Sequence, residues 1–174
     1  MKQSSNGHND FCKILKDAKK IGENKMVYYE IEQVMKKINC FASKLGYPLP
    51  RYTIEDSKSY SHEQPKNLPK GKAAIYIFIY SDNNSVEILK IGKANEKSFS
   101  RYCSQHYGFN APSTLAKSIC NDIRFINLGI NRYNVKEWML NNLRRINILI
   151  DEDKASTELI ESILHYKFRP TYEG

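Results

Sequence analysis

The sequence predicts an α+β fold: a small three-stranded sheet, antiparallel or mixed, flanked by helices and preceded by a helical N-terminal extension. Three observations carry that expectation. Apolar residues between 10 and 45 recur at helical spacing, whereas residues 72–80, 86–91 and 144–150 read as short strands, the first an apolar run dominated by Ile, Tyr and Phe. Helix-like segments separate the later runs, and such interspersion gives an α+β arrangement. At 174 residues with 41% hydrophobic side chains, the chain has enough apolar material for one packed core.

In chain order, residues 1–9 are polar. Phe11, Ile14 and Leu15, then Val27, Ile31, Val34, Met35, Ile38 and Phe41, trace amphipathic helices interleaved with lysines. The pattern breaks near Gly22-Glu23-Asn24 and closes at Gly46 and Pro48. Residues 47–71 hold four of the six prolines and read as a connector. A first strand then spans 72–80, Asp82-Asn83-Asn84-Ser85 has turn chemistry, and Val86–Ile91 returns as its hairpin partner. Helices are expected at Phe99–Tyr107, from Pro112-Ser113 to about Cys120, and after a cap at Asn134 through Val135, Trp138, Met139 and Leu143. Arg144–Ile150 is the third strand, and a last helix runs from Asp151-Glu152-Asp153 to about Phe168. The division falls into 1–69, the extension and connector, and 70–174, a second part with an insertion at about 110–143.

Charge narrows the partner classes. Lys and Arg number 27 against 19 Asp and Glu, a formal charge of +8, which favours polyanions and nucleic acid above all. Cys12, Cys40, Cys103 and Cys120 are scattered with no CxxC pair, which argues against structural zinc and for free thiols in a cytoplasmic protein. No apolar run approaches the length of a membrane span, so no membrane partner is expected.

One constellation stands out. Tyr76 lies mid-strand in the first arm of the hairpin, and Lys90-Ile91-Gly92-Lys93 ends the second, so paired strands can bring the Tyr76 hydroxyl and the Lys90 amine onto one face. Arg101 follows on the next helix, with Tyr102 and His106 close behind. In the last helix, Glu158, Glu161 and His165 lie opposite a stripe of Leu159, Ile160, Ile163 and Leu164.

Over roughly residues 72–174 these elements resemble the GIY-YIG nuclease superfamily. Ala74-Ile75-Tyr76 stands at the GIY element, Lys90-Ile91-Gly92 at the YIG element, and Lys93 continues it as in the family's YIGK form. Arg101 falls at the first-helix arginine, while Glu161, Leu164, Pro170 and Tyr172 resemble the E-x-x-L ending and P-x-Y-N tail. Ala74 replaces the first glycine, and Lys90 replaces the YIG tyrosine, a variation similar to a restriction-endonuclease branch. His106 lies one residue after the usual histidine or tyrosine, where Gln105 stands, and Glu173 takes the place of the terminal asparagine.

The resemblance implies a metal-dependent DNA endonuclease, restriction-type, acting on double-stranded DNA. It implies catalytic roles for Tyr76, Lys90, Arg101 and Glu161, with Lys93, His106 and Tyr102 as secondary catalytic or phosphate contacts. Glu161 would anchor Mg²⁺ (or Mn²⁺), whose remaining ligands are water and phosphate oxygens. Arg101 offers a permanently charged, planar donor set to a phosphate. A cationic Lys90 would favour the Tyr76 phenolate and lower its pKa, whereas a neutral Lys90 could itself take the proton. Cutting both strands calls for a homodimer or two sequential events. The alternatives are a repair or mobile-element nuclease, and a catalytically inactive nucleic-acid-binding module on the same fold.

Overall fold

The structure, a computed structural model, describes residues 26–82 and 85–172. The expected helix around Phe11–Leu15, its break at Gly22–Asn24, the middle of the hairpin turn and Glu173 lie outside the described residues. Helix α1 covers residues 26–44. There follow β1 (Tyr52–Asp56), β2 (Lys72–Ser81), β3 (Val86–Ala94), α2 (Phe99–Cys103), α3 (Leu115–Asn121), α4 (Ile123–Ile126), α5 (Val135–Asn142), β4 (Leu143–Asp151) and α6 (Lys154–Phe168). Among the described residues the strands form one open antiparallel sheet in the order β1-β4-β2-β3.

The class is the α+β class expected, but the sheet has four strands rather than three. The added strand, β1, comes from the proline-rich stretch read as a connector; it pairs with β4 from Tyr52 opposite Ile150 to Asp56 opposite Ile146. Five residues between prolines carry little local strand signal, and a distant partner edge supplies what the local sequence lacks. Three smaller corrections follow. β3 continues past Ile91 through Lys93 to Ala94. The helix after residue 112 begins at Leu115, because the Thr114 side chain accepts from Lys117 N and supplies the cap. Asn134 precedes α5 without a side-chain cap bond there; its side-chain oxygen accepts from Asn131 N instead.

Two hydrophobic layers cover the sheet. On one face Ile75, Ile77 and Ile79 of β2 and Ile146, Ile148 and Ile150 of β4 pack with Ile31, Met35 and Ile38 of α1 and Ile160 and Leu164 of α6. Burying each such side chain contributes about 1.5–3 kcal/mol relative to exposure. The other face carries Ala74, Tyr76 and Phe78 with Leu143 and Leu149, covered by Leu115, Ala116, Ile119, Phe125, Val135 and Met139 of the middle helices. Period-two alternation along β2 thus sends an all-isoleucine row one way and an aromatic row the other. Among the described residues, no helix is long and apolar enough to cross a membrane.

Candidate active site

The hairpin sets the geometry. In the β2–β3 register Tyr76 stands opposite Gly92 and Phe78 opposite Lys90, so the hydroxyl and the amine share a face, as their strand positions suggested. A bulge makes this possible. Phe78 pairs with Lys90 but Ile79 pairs with Ile88, leaving Leu89 as the extra residue. Ile88 therefore packs into the aliphatic layer while Lys90, two positions on, turns to the Tyr76 face. A regular strand would have put both on one side; bulges commonly re-aim side chains in this way.

Gly92 has a steric reason. A Cβ there would sit 2.5 Å from the Tyr76 hydroxyl oxygen and 2.7 Å from two ring carbons. The Tyr76 ring lies across the β3 backbone, and the missing side chain makes the room.

Lys90 is 6% exposed although β3 is an edge strand, which rules out a solvated edge lysine. The chain after α6 turns back along this edge: Thr171 N donates to Ile88 O at 3.0 Å and Tyr172 N to Leu89 O at 2.8 Å. The Lys90 amine reaches Tyr172 O at 3.4 Å, and the Tyr172 hydroxyl is fixed on Asp122 at 2.6 Å. Burial lowers the Lys90 pKa from its ordinary value; the Arg101 charge pushes the same way and Glu161 opposes.

Arg101 is delivered by a locked turn. After β3, Asn95 and Ser98 cap each other, with Ser98 N donating to Asn95 Oδ1 at 3.2 Å and Asn95 N to Ser98 Oγ at 3.0 Å. Helix α2 then carries Arg101 to the cleft while Tyr102, one residue on, turns into the core at 4% exposure. The 3₁₀ turn Gln105–Tyr107 brings His106 beneath β2, where Nε2 and the Tyr76 hydroxyl are 2.7 Å apart. His106 is 3% exposed, and burial with the Lys90, Arg145 and Arg101 charges lowers its pKa to about 3, so the imidazole is neutral. Its Nδ1 is buried and has no hydrogen-bond partner among the described residues. In either neutral tautomer one proton is shared between Tyr76 and Nε2, and the Tyr76 oxygen keeps at least one lone pair for the cleft. Burial raises the Tyr76 pKa above its ordinary value, with Arg101 opposing and Glu161 adding to the rise.

Glu161 enters from α6. Its Oε2 lies 2.7 Å from Lys93 Nζ, whereas Glu158, one turn earlier, stands 3.9 Å from the same amine. His165 Nε2 donates to Ile91 O at 3.1 Å and pins α6 beside β3. One cleft of about 310 Å³ is lined by Tyr76, Lys90, Lys93, Arg101, His106 and Glu161, joined by Gln105, His165 and Gly92. Pro112 and Ser113, from the expected insertion, complete the wall. The four residues expected to be catalytic are brought together, as are Lys93 and His106; Tyr102 does not line the cleft. It is a floor residue, because the next position on a helix is rotated by roughly 100°.

Below that floor lie Arg145 and His62, which the sequence reading missed. Arg145, 3% exposed, donates from Nε to Asn147 Oδ1 at 2.9 Å, from Nη1 to the Tyr107 hydroxyl at 2.9 Å and from Nη2 to Tyr102 O at 2.8 Å. Its guanidinium carbon is 4.7 Å from the ring centroid of Tyr102, 5.1 Å from Phe78 and 5.8 Å from Tyr76. Desolvated cation–π contacts are worth up to about 2 kcal/mol each, which offsets part of the cost of burying the charge. Tyr107 is held in turn by His62 Nε2 at 2.8 Å, while His62 Nδ1 donates to Leu143 O at 2.7 Å. The signal was present in Arg144-Arg145, two adjacent charges near the start of a mostly apolar strand.

Among the described residues no group of three or more His, Cys, Asp or Glu side chains gathers to hold a metal. Glu161 supplies a single carboxylate at the cleft, and that donor set fits Mg²⁺, which takes one or two carboxylates and completes its shell with phosphate oxygens and water. No family model, curated protein or solved structure matches the chain.

Proposed function

We propose that the chain is a metal-dependent DNA endonuclease of the GIY-YIG kind, hydrolysing phosphodiester bonds in the cleft between β3, α2 and α6. The observation that carries this reading is the convergence of Tyr76, Lys90, Arg101 and Glu161, drawn from four separate elements, on one cleft. Phosphodiester hydrolysis needs an activated water, neutralisation of the charge that builds on the phosphorane, and help for the departing oxygen. Arg101, on the open side, binds and orients the scissile phosphate. The directions of the shifts divide the proton work: Tyr76 is held in its hydroxyl form and Lys90 is biased toward the free amine. Lys90 therefore takes the proton of the attacking water, and Tyr76, steadied by His106, aligns that water through its lone pair. Glu161 would hold Mg²⁺ or Mn²⁺, which when bound would supply Lewis-acid neutralisation of the phosphate and stabilise the departing oxygen. Lys93 sets the Glu161 carboxylate and adds positive charge to the rim. The charge of +8 supports a polyanionic substrate, here double-stranded DNA.

The test is plasmid DNA incubated with and without Mg²⁺, using the wild type, Glu161→Gln and Arg101→Ala. The reading expects Mg²⁺-dependent cleavage by the wild type, its loss in both variants, and retained DNA binding by Glu161→Gln. Binding without cleavage in Mg²⁺ or Mn²⁺ by all three proteins would leave a nucleic-acid-binding module instead.

A further inference from the structure

Adjacent residues of β4 bury two arginines in opposite ways. Arg144 faces the aliphatic layer and meets a carboxylate, donating to both oxygens of Asp56 at 2.8 and 2.7 Å. Arg145 faces the cleft floor, and among the described residues its hydrogen bonds go to Asn147, Tyr107 and Tyr102, all neutral acceptors. No described carboxylate lies within ion-pair distance of it. A guanidinium cannot shed its proton, so the position behind Tyr76 holds a full charge with no ion-pair partner among the described residues; Glu55, opposite Asn147 on β1, is the carboxylate on this side of the sheet and makes no ion pair with it. Buried charges are ordinarily paired, and an unpaired one beside a site for an anionic substrate is a source of field already oriented before the reaction.

We propose that Arg145 is a positioning residue of the cleft: an uncompensated cation clamped behind the Tyr76 ring that acts through the Tyr76–His106 pair to favour negative charge on the phosphodiester as it is attacked. This rests on the nuclease reading above. The clamp is rigid. Asn147 and the Tyr102 carbonyl fix two edges of the fork, the Tyr107 hydroxyl fixes the third, and the rings of Tyr102, Phe78 and Tyr76 surround it. Since the phosphorane carries more charge than the bound diester, a fixed cation at this depth acts on kcat more than on KM. Arg145 does not line the cleft and does not touch substrate; Arg101 has that role.

His106 serves as the internal reporter of this field. It faces Tyr76 of β2, Lys90 of β3, Arg101 of α2 and Arg145 of β4, with Glu161 of α6 across the cleft, and of these Lys90, Arg145 and Arg101 all oppose its protonation. The experiment compares the wild type with Arg145→Gln, which removes the charge, and Arg145→Lys, which keeps it. Three quantities are read: the His106 titration midpoint by NMR, and kcat and KM for Mg²⁺-dependent DNA cleavage. We expect Arg145→Gln to raise the His106 midpoint and to lower kcat about tenfold with KM changed less than about twofold. Arg145→Lys should hold the midpoint near the wild-type value and recover part of kcat. If the glutamine variant does not fold, Arg145→Met keeps apolar bulk among the three rings and replaces it. An unmoved His106 midpoint in a folded charge-removing variant overturns the proposal. So does unchanged kcat, or equal damage by lysine and glutamine. A wild type that cuts no DNA refutes the nuclease reading and the catalytic part of this proposal with it, whereas cleavage by the wild type with an unmoved midpoint or unchanged kcat in the variant refutes the Arg145 role alone.

Discussion

The two faces of the sheet use the same strands for different ends. One is a dry stack in which Ile75, Ile77, Ile79, Ile146, Ile148 and Ile150 meet α1 and α6; the other buries Tyr76, Phe78, Lys90, Arg145, Asn147 and His106 among the middle helices. The first is mostly isoleucine, which brings no polar group to satisfy on a pleated surface, and the buried Arg144 on that side is paired with Asp56. The second has to satisfy each polar atom in a low-dielectric interior, and at His106 Nδ1 it does not. Local rules broken without structural gain mark functional positions. The isoleucine side is thus built mainly for stability, whereas the cleft gathers Tyr76, Lys90 and His106 from the other side and Glu161 from α6.

Ile77→Ala should produce the largest effect on folding. Ile77 is fully buried, and truncation leaves a cavity costing about 2–5 kcal/mol. Denaturant titration should show that loss, with cleavage per folded molecule unchanged; a parallel collapse of activity would dissolve the distinction between the faces. Gly92→Ala probes the other face more gently. The added Cβ would drive the Tyr76 ring off its place and away from His106. We expect cleavage to fall about 10–100-fold, on the scale of a 1 Å misplacement, with a melting temperature changed by only a few degrees. Unaltered turnover would show that the placement of Tyr76 is not needed.

The smallest effect is on the acid side of the stability curve. His106 has a folded pKa of about 3 against an ordinary 6.5, so the folded protein binds fewer protons than the unfolded chain between those values. Its contribution is fully present above about pH 6.5 and is lost as pH falls toward about 3. Urea titrations should show a steeper decline of stability over that window for the wild type than for His106→Gln. Equal slopes would mean that the imidazole is not held neutral by its surroundings.

Much of this was legible in the sequence, and the failures have physical reasons. The hairpin strands and β4 announced themselves as largely apolar runs, and the order and spacing of Tyr76, Lys90, Arg101 and Glu161 singled out four side chains that line one cleft. β1 was hidden because pairing with β4, nearly 100 residues away, is not a local property. The bulge at Leu89 was equally invisible, though it decides which face Lys90 occupies. Tyr102 was misjudged as a contact because adjacency to Arg101 in sequence is divergence on a helix. Arg145 escaped because a strand arginine reads as an edge charge until its partners are known.

The measurement that bears most directly on the account is the pH–rate profile of single-turnover DNA cleavage in Mg²⁺ for the wild type and Lys90→Met. Burial and Arg101 lower the Lys90 pKa, so the wild-type rate should climb with pH as the amine loses its proton and then level off below the ordinary lysine range. Lys90→Met should bind DNA with similar affinity, cleave about 10²–10⁴-fold more slowly and lose that rising limb. An identical limb in the variant, or weakened binding with turnover intact, would contradict the assignment of Lys90 as the base.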